Sequence, residues 1–169
     1  MTTRSLAWGA AALVAAFSAG CGPSVNLATD LQVADVQTGW YDDGIDPATK
    51  WNHLVPGVSL RLKNVSGHDV SNVQLTVAFW QDGADGMSAE KLVRAIGDEA
   101  LAPGTQTEPI VVLSDTGYNL EGARADLFQH GSFRDWVVKL YAKRGGRIVP
   151  IGEHKVERRL ILKDARPGQ

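Results

Sequence analysis

The sequence has a single cysteine, Cys21, among 169 residues. One thiol cannot close an internal disulfide, so packing alone must hold the fold. Charge excess is missing too: 17 Lys and Arg face 19 Asp and Glu, a formal net charge of −2. That balance offers no basic face and argues against nucleic acid as a partner. No apolar run reaches the roughly 18–20 residues that a membrane-spanning helix needs. The Gly-x-Ser-x-Gly elbow of serine hydrolases, the phosphate-binding Gly-x-x-x-x-Gly-Lys loop and the dinucleotide fingerprint are all lacking. The four histidines, His53, His68, His130 and His154, show none of the spacings with each other or with cysteine that build a zinc site. The expectation is a protein that is not an enzyme, with no catalytic residue, metal or cofactor.

What is present begins at the N-terminus. Arg4 precedes an uncharged run from Leu6 to Phe17, LAWGAAALVAAF, and then come Ser18, Ala19, Gly20 and Cys21. A positive start, a short apolar stretch and small residues before a cut are the parts of an export signal. The stretch SAGC resembles the bacterial lipobox: Ala19, Gly20 and Cys21 match, and Ser18 stands where an aliphatic residue is usual. The resemblance implies that Cys21 takes a diacylglycerol, that the chain is cut before it, and that its new amine is acylated. Several acyl chains make a stable anchor, since each buried methylene contributes roughly 0.8 kcal/mol and one chain alone is marginal. An ordinary cleaved signal with a chance cysteine and an uncleaved helix are the other readings of the same residues. As a lipoprotein the chain would sit in the bacterial cell envelope. Gly22, in place of aspartate, implies by similarity to enterobacterial sorting the outer membrane, facing the periplasm.

Four segments follow from this: a lipoprotein signal peptide over 1–20, a tether over 21–30, a β-sandwich domain over 31–162 and a flexible tail over 163–169. Within the domain, hydrophobicity alternates with the period of strands. Val58, Leu60 and Leu62 point one way, with Ser59, Arg61 and Lys63 opposite; Val73, Leu75, Val77 and Phe79 alternate with Gln74, Thr76, Ala78 and Trp80. Leu31 and Val33 start an earlier strand whose phase Val36 breaks, which predicts a bulge near Ala34 and Asp35. YDDGIDPATK reads as a loop, and the turn-forming residues Ser66 to Asp69 predict a hairpin joining the two clearest strands. KLVRAIG is either a strand or a helical turn, and one helical turn is expected near Ala123 to Phe128. A second hairpin turns at RGG, and Pro150 beyond it implies an edge strand or a bulge. Short strands at this spacing predict an all-β fold, an immunoglobulin-like antiparallel β-sandwich of about seven to eight strands after the signal segment.

The stretch from about residue 55 to 115 carries Asn64-Val65-Ser66-Gly67, then Phe79-Trp80, then Pro103-Gly104. It resembles the FxLYD-type and related immunoglobulin-like domains of bacterial envelope proteins. That resemblance implies a binding or spacer module with no catalytic residues. The expected partners are the membrane, through the lipid on Cys21, and an envelope protein. The alternative is a module that binds carbohydrate or peptidoglycan through exposed aromatics. Trp80 falls on the polar phase of its strand, and Trp40, Tyr41 and Trp51 flank the DDGID loop. These four are the candidate binding residues; the competing reading makes them covers for the open face or the end of the sandwich. Trp136 reads as core. The acidic groups Asp42, Asp43, Asp46 and Asp82, Asp85 read as solvated turn carboxylates, with calcium as the alternative.

Overall fold

The computed structural model describes residues 25–161. The signal segment, Cys21 and the tail 163–169 lie outside the described residues. Among the described residues nine strands form two sheets: β1 (Leu31–Ile45), β2 (Asn52–Asn64), β3 (Val73–Gln81), β4 (Ala89–Ile96), β5 (Ile110–Leu113), β6 (Tyr118–Leu120), β7 (Trp136–Arg144), β8 (Arg147–Lys155) and β9 (Leu160–Ile161). The first sheet runs β5-β2-β1-β9, with β6 also on β2, and the second runs β4-β3-β7-β8. β1-β2-β5 facing β4-β3-β7-β8 is the strand arrangement of an immunoglobulin-type sandwich. Val58, Leu60 and Leu62 from one sheet and Leu75, Val77, Phe79, Val138 and Leu140 from the other are fully buried between them.

The predicted bulge is present. Pairing of β1 with β2 shifts between Ala34 and Gln37, and Asp35 takes a positive φ of 51°. Pro150 lies on the edge strand β8, where the ladder with β7 also shifts register. KLVRAIG is strand as far as Ile96, the end of β4, and a 3-10 turn covers Arg124–Gln129.

Three local expectations need correction. The chain does not turn back as a hairpin after β2. β2 and β3 belong to opposite sheets, and the connection crosses between them. The buried Asn64 organises that crossing: its Nδ2 donates to the carbonyls of His68 and Leu101 at 2.8 Å, and its Oδ1 accepts from the N–H and hydroxyl of Ser66. Turn chemistry looks the same whether a chain reverses within one sheet or steps to the next. The real hairpin is β1-β2. Tyr41–Ile45 continue β1, and the turn is only Asp46 to Lys50, closed by Asp46 Oδ1 accepting from the N–H groups of Ala48 and Thr49 at 2.8 Å. The folded domain also starts before residue 31. Residues Leu27–Asp30 form one helical turn, α1, capped by Asn26, and Leu27 is buried in the core.

Pro56 sits inside the central strand β2, where proline is normally excluded. Its missing donor falls in a gap. β5 pairs as far as Gly57 and β6 resumes at Leu54, while the Pro56 carbonyl still accepts from Ser114 N–H at 2.9 Å.

Candidate functional site

The four candidate aromatics go to four different places. Trp40 is fully buried between the sheets. Its ring lies 5.3 Å from Phe133, 5.4 Å from Tyr118 and 6.0 Å from Trp136, an aromatic cluster that closes one end of the core. Tyr41, the next residue, points to the other side of the first sheet yet is also buried. It lies against Gly57, where a Cβ would come within 2.7 Å of the Tyr41 ring. The binding assignment of Trp40 and Tyr41 is therefore corrected. They lie inside a continuous strand pair, and exposed positions begin only beyond them, at Asp43 and Ile45. Trp51 follows that turn and is exposed, at 39 %.

Trp80 is placed differently. It lies near the end of β3 on the outer face of the second sheet, opposite Val137 of β7. It forms the floor of an open groove of about 460 Å³ walled by the Asp82–Ala84 turn, Asp135, Lys139, Glu153 and Lys155. The period-2 phase puts Trp80 outward, and β7 and β8 place their own outward residues beside it. The turn stands over one end because Gly83 takes a φ of 77°, and Asp82 N–H donates to the Asp135 carbonyl at 2.8 Å.

Charges of both signs ring the indole. Lys139 Nζ stands 5.0 Å from the centre of the Trp80 ring, a cation–π arrangement, and 3.7 Å from Glu153. Asp135 accepts from Arg158 Nε at 2.9 Å and from its second nitrogen at 3.1 Å, with Lys155 at 3.5 Å. The hydrogen bonds from Arg158, and then the positive charges of Arg158 and Lys155, hold the Asp135 carboxyl below its ordinary value. Trp80 Nε1 is buried and has no hydrogen-bond partner among the described residues. The groove thus offers an aromatic surface on which a cation already rests, acceptors on three carboxylates and donors on two lysines.

The acidic turns are used locally. Asp42 pairs with Arg124 at 2.9 Å, Asp43 lies 3.3 Å from His53, and Asp46 caps its own turn. Among the described residues, no three His, Cys, Asp or Glu side chains gather as a metal site. The sequence reading named Trp80 but missed its companions Asp135, Lys139 and Glu153. They come from β7, the residue just before it and β8, more than fifty residues away, and only the β3-β7-β8 pairing brings them together.

No family model matches the chain, and no curated protein matches it. Among solved structures, it is similar to the crystal structure of a Bordetella pertussis protein provisionally assigned as ApaA. The identity is 16 % and the TM-score 0.43, over 76 % of this chain and 94 % of that one.

Proposed function

We propose that this protein is a non-enzymatic binding or assembly module of the bacterial cell envelope. In this reading a lipid on Cys21 anchors it, with the outer membrane, facing the periplasm, as its place. It receives a protein partner on the outer face of its second sheet. The observation that carries the reading is the groove over Trp80: a partly exposed indole at the end of a rigid four-stranded sheet, flanked by charges of both signs. Aromatic residues with charged surroundings are what binding hot spots are made of. A glycan is the second reading, favoured by the same indole ringed with carboxylates. The Lys139 ammonium over the ring stands where a sugar would stack, and this favours the protein partner.

Two measurements test it. Fatty-acid labelling should mark the wild type and not Cys21→Ser; equal labelling would overturn the anchor. Immobilised wild-type protein should retain a membrane-protein partner that Trp80→Ala loses about tenfold or more. Retention indifferent to Trp80, or saturable quenching of tryptophan fluorescence by peptidoglycan fragments, would overturn the protein-partner reading.

A further inference from the structure

The chain's charge is nearly balanced overall, but the fold gathers part of it in one place. β7 and β8 are joined by the two-residue turn Gly145-Gly146, with Gly145 at a φ of 59°. On its flanks Lys143 stands opposite Ile148, and Arg144 opposite Arg147. Opposed residues share a face of a hairpin, so Lys143 and Ile148 lie on the outer face of the sheet, and Arg144 and Arg147 on the other. None of these three cations makes a side-chain hydrogen bond or ion pair among the described residues. Ile148 is 54 % exposed. Lys143 also lines a polar cleft of about 330 Å³ with Asn72, Gln74, Arg94 and Gly145, whose described lining holds no carboxylate. Arg94 is answered by Asp98 at 2.7 Å; the three charges of the hairpin are not answered.

This tip lies at the end of the domain where the chain enters. α1 packs against β1, β7 and β8. Trp40, far along β1, lies 6.0 Å from Trp136 at the start of β7, so β7 runs from the far end back towards α1. From Cys21 to the capping residue Asn26 the chain can reach at most about 18 Å. We propose that the 143–148 tip is a membrane-docking element. Its three cations rest among the anionic phosphate headgroups of the leaflet that holds the Cys21 lipid, with Ile148 at the headgroup boundary. This inference rests on the lipid-anchor reading above and adds the domain's own contact with the surface.

Each cation brought to an anionic surface is worth roughly fivefold in binding, and the attraction falls off within about 10 Å at ordinary salt. An acyl anchor supplies the proximity that so short-ranged an attraction needs, and contacts tied to one anchor reinforce each other. A two-residue turn is already ordered, so little freedom is lost when it settles. The acidic residues of this end do not stand on the hairpin. Asp30 accepts from Asn26 N–H at 2.7 Å and lies 3.3 Å from His68, Asp98 is held by Arg94, and Asp69 and Glu99 sit on the other loops. With the tip down, the Trp80 groove, at the opposite end of β3 and β7, faces away from the lipid and stays open to its partner.

Single-cysteine variants of the acylated full chain test this, since Cys21 then carries lipid and only the new thiol takes a label. Gly146→Cys suits the tip, where a Cβ meets nothing within 4 Å. A fluorophore there should be quenched by nitroxide-headgroup lipid in phosphatidylcholine vesicles holding roughly a third phosphatidylglycerol. Thr49→Cys, in the turn at the far end, should be quenched about fivefold less. Quenching at Gly146→Cys should fall about threefold or more in phosphatidylcholine alone, and likewise when Lys143→Gln, Arg144→Gln and Arg147→Gln are added. Arg144→Lys with Arg147→Lys should leave it unchanged. Equal quenching at the two labels, or quenching indifferent to vesicle charge or to the triple exchange, would overturn the docking. Relief by inorganic phosphate at constant ionic strength would show a free-phosphate site and overturn the lipid surface as occupant. A second label on the protein would show that Cys21 bears no lipid and overturn the anchor. The tip is then judged by flotation with the same vesicles: retention that needs phosphatidylglycerol and the three cations supports it, and any other pattern overturns it.

Discussion

Trp40 and Trp80 are the same residue type on neighbouring layers of one sandwich, and they have opposite fates. Trp40 is fully buried in a cluster with Tyr118, Phe133 and Trp136, while Trp80 keeps one side open above a groove edged by charges. Both sit near the same end of the fold, and both have an indole nitrogen without a hydrogen-bond partner among the described residues. What separates them is direction: one faces the opposite sheet and the other faces away. Burial at the first site comes from residues that arrive late in the chain, and openness at the second from a face that no other sheet covers.

The largest effect should come from breaking the closed end. Trp40→Ala should cost about 3–5 kcal/mol, as large-to-small core substitutions do. A urea melt measures it, and a loss below about 1 kcal/mol would mean that the aromatic cluster does not close the core. Gly117→Ala strikes the same end from the backbone. A Cβ there would lie 2.1 Å from the Leu54 carbonyl oxygen, so the crossing from β5 to β6 must shift and carry Tyr118 away from Trp40. A loss of about 1–3 kcal/mol is expected, the range for overpacking, with a change in near-ultraviolet circular dichroism.

Trp80→Ala should cost less, about 1 kcal/mol, and should weaken binding more than folding. Trp51→Ala should stay within about 0.5 kcal/mol, as exposed substitutions do. If Trp80→Ala destabilised as much as Trp40→Ala, the groove would be structural and the contrast would collapse.

A small, pH-dependent effect concerns Asp135. Its carboxyl is held below the ordinary value of 3.8 by Arg158 and then Lys155. A depressed value in the folded state means that its contribution is present at neutral pH. It is lost as pH falls through the folded value. Asp135→Asn should therefore lower stability at pH 7 by about 0.5–1 kcal/mol, the scale of a solvent-accessible ion pair. It should match the wild type at a pH well below 3.8. A difference that persists in acid would show that packing around Arg158, not the charge, makes the contribution.

The pattern of alternation in β2 and β3 was enough to place Leu60 and Val77 inside, and the phase break at Val36 was enough to predict the bulge. Thr76 shows the limit. Its polar phase faces outward as expected, yet it is only 5 % exposed, because Leu92 and Tyr141 flank it on the neighbouring strands. Alternation reports which face a side chain takes. It does not report who stands beside it.

The one-cysteine composition, the near-balanced charge and the period-2 runs by themselves determined an all-β chain without disulfides, with an expected lipid anchor at Cys21. Those are properties of single residues and of near neighbours, and strand period is a local steric fact. Only the tertiary structure decided that the chain crosses between sheets after Asn64, that Trp40 and Tyr41 are buried, and that Trp80 shares a groove with Asp135, Lys139 and Glu153. Each of those depends on which strands lie side by side. That choice is made by the summed burial of two whole sheets, and no short stretch of sequence carries it.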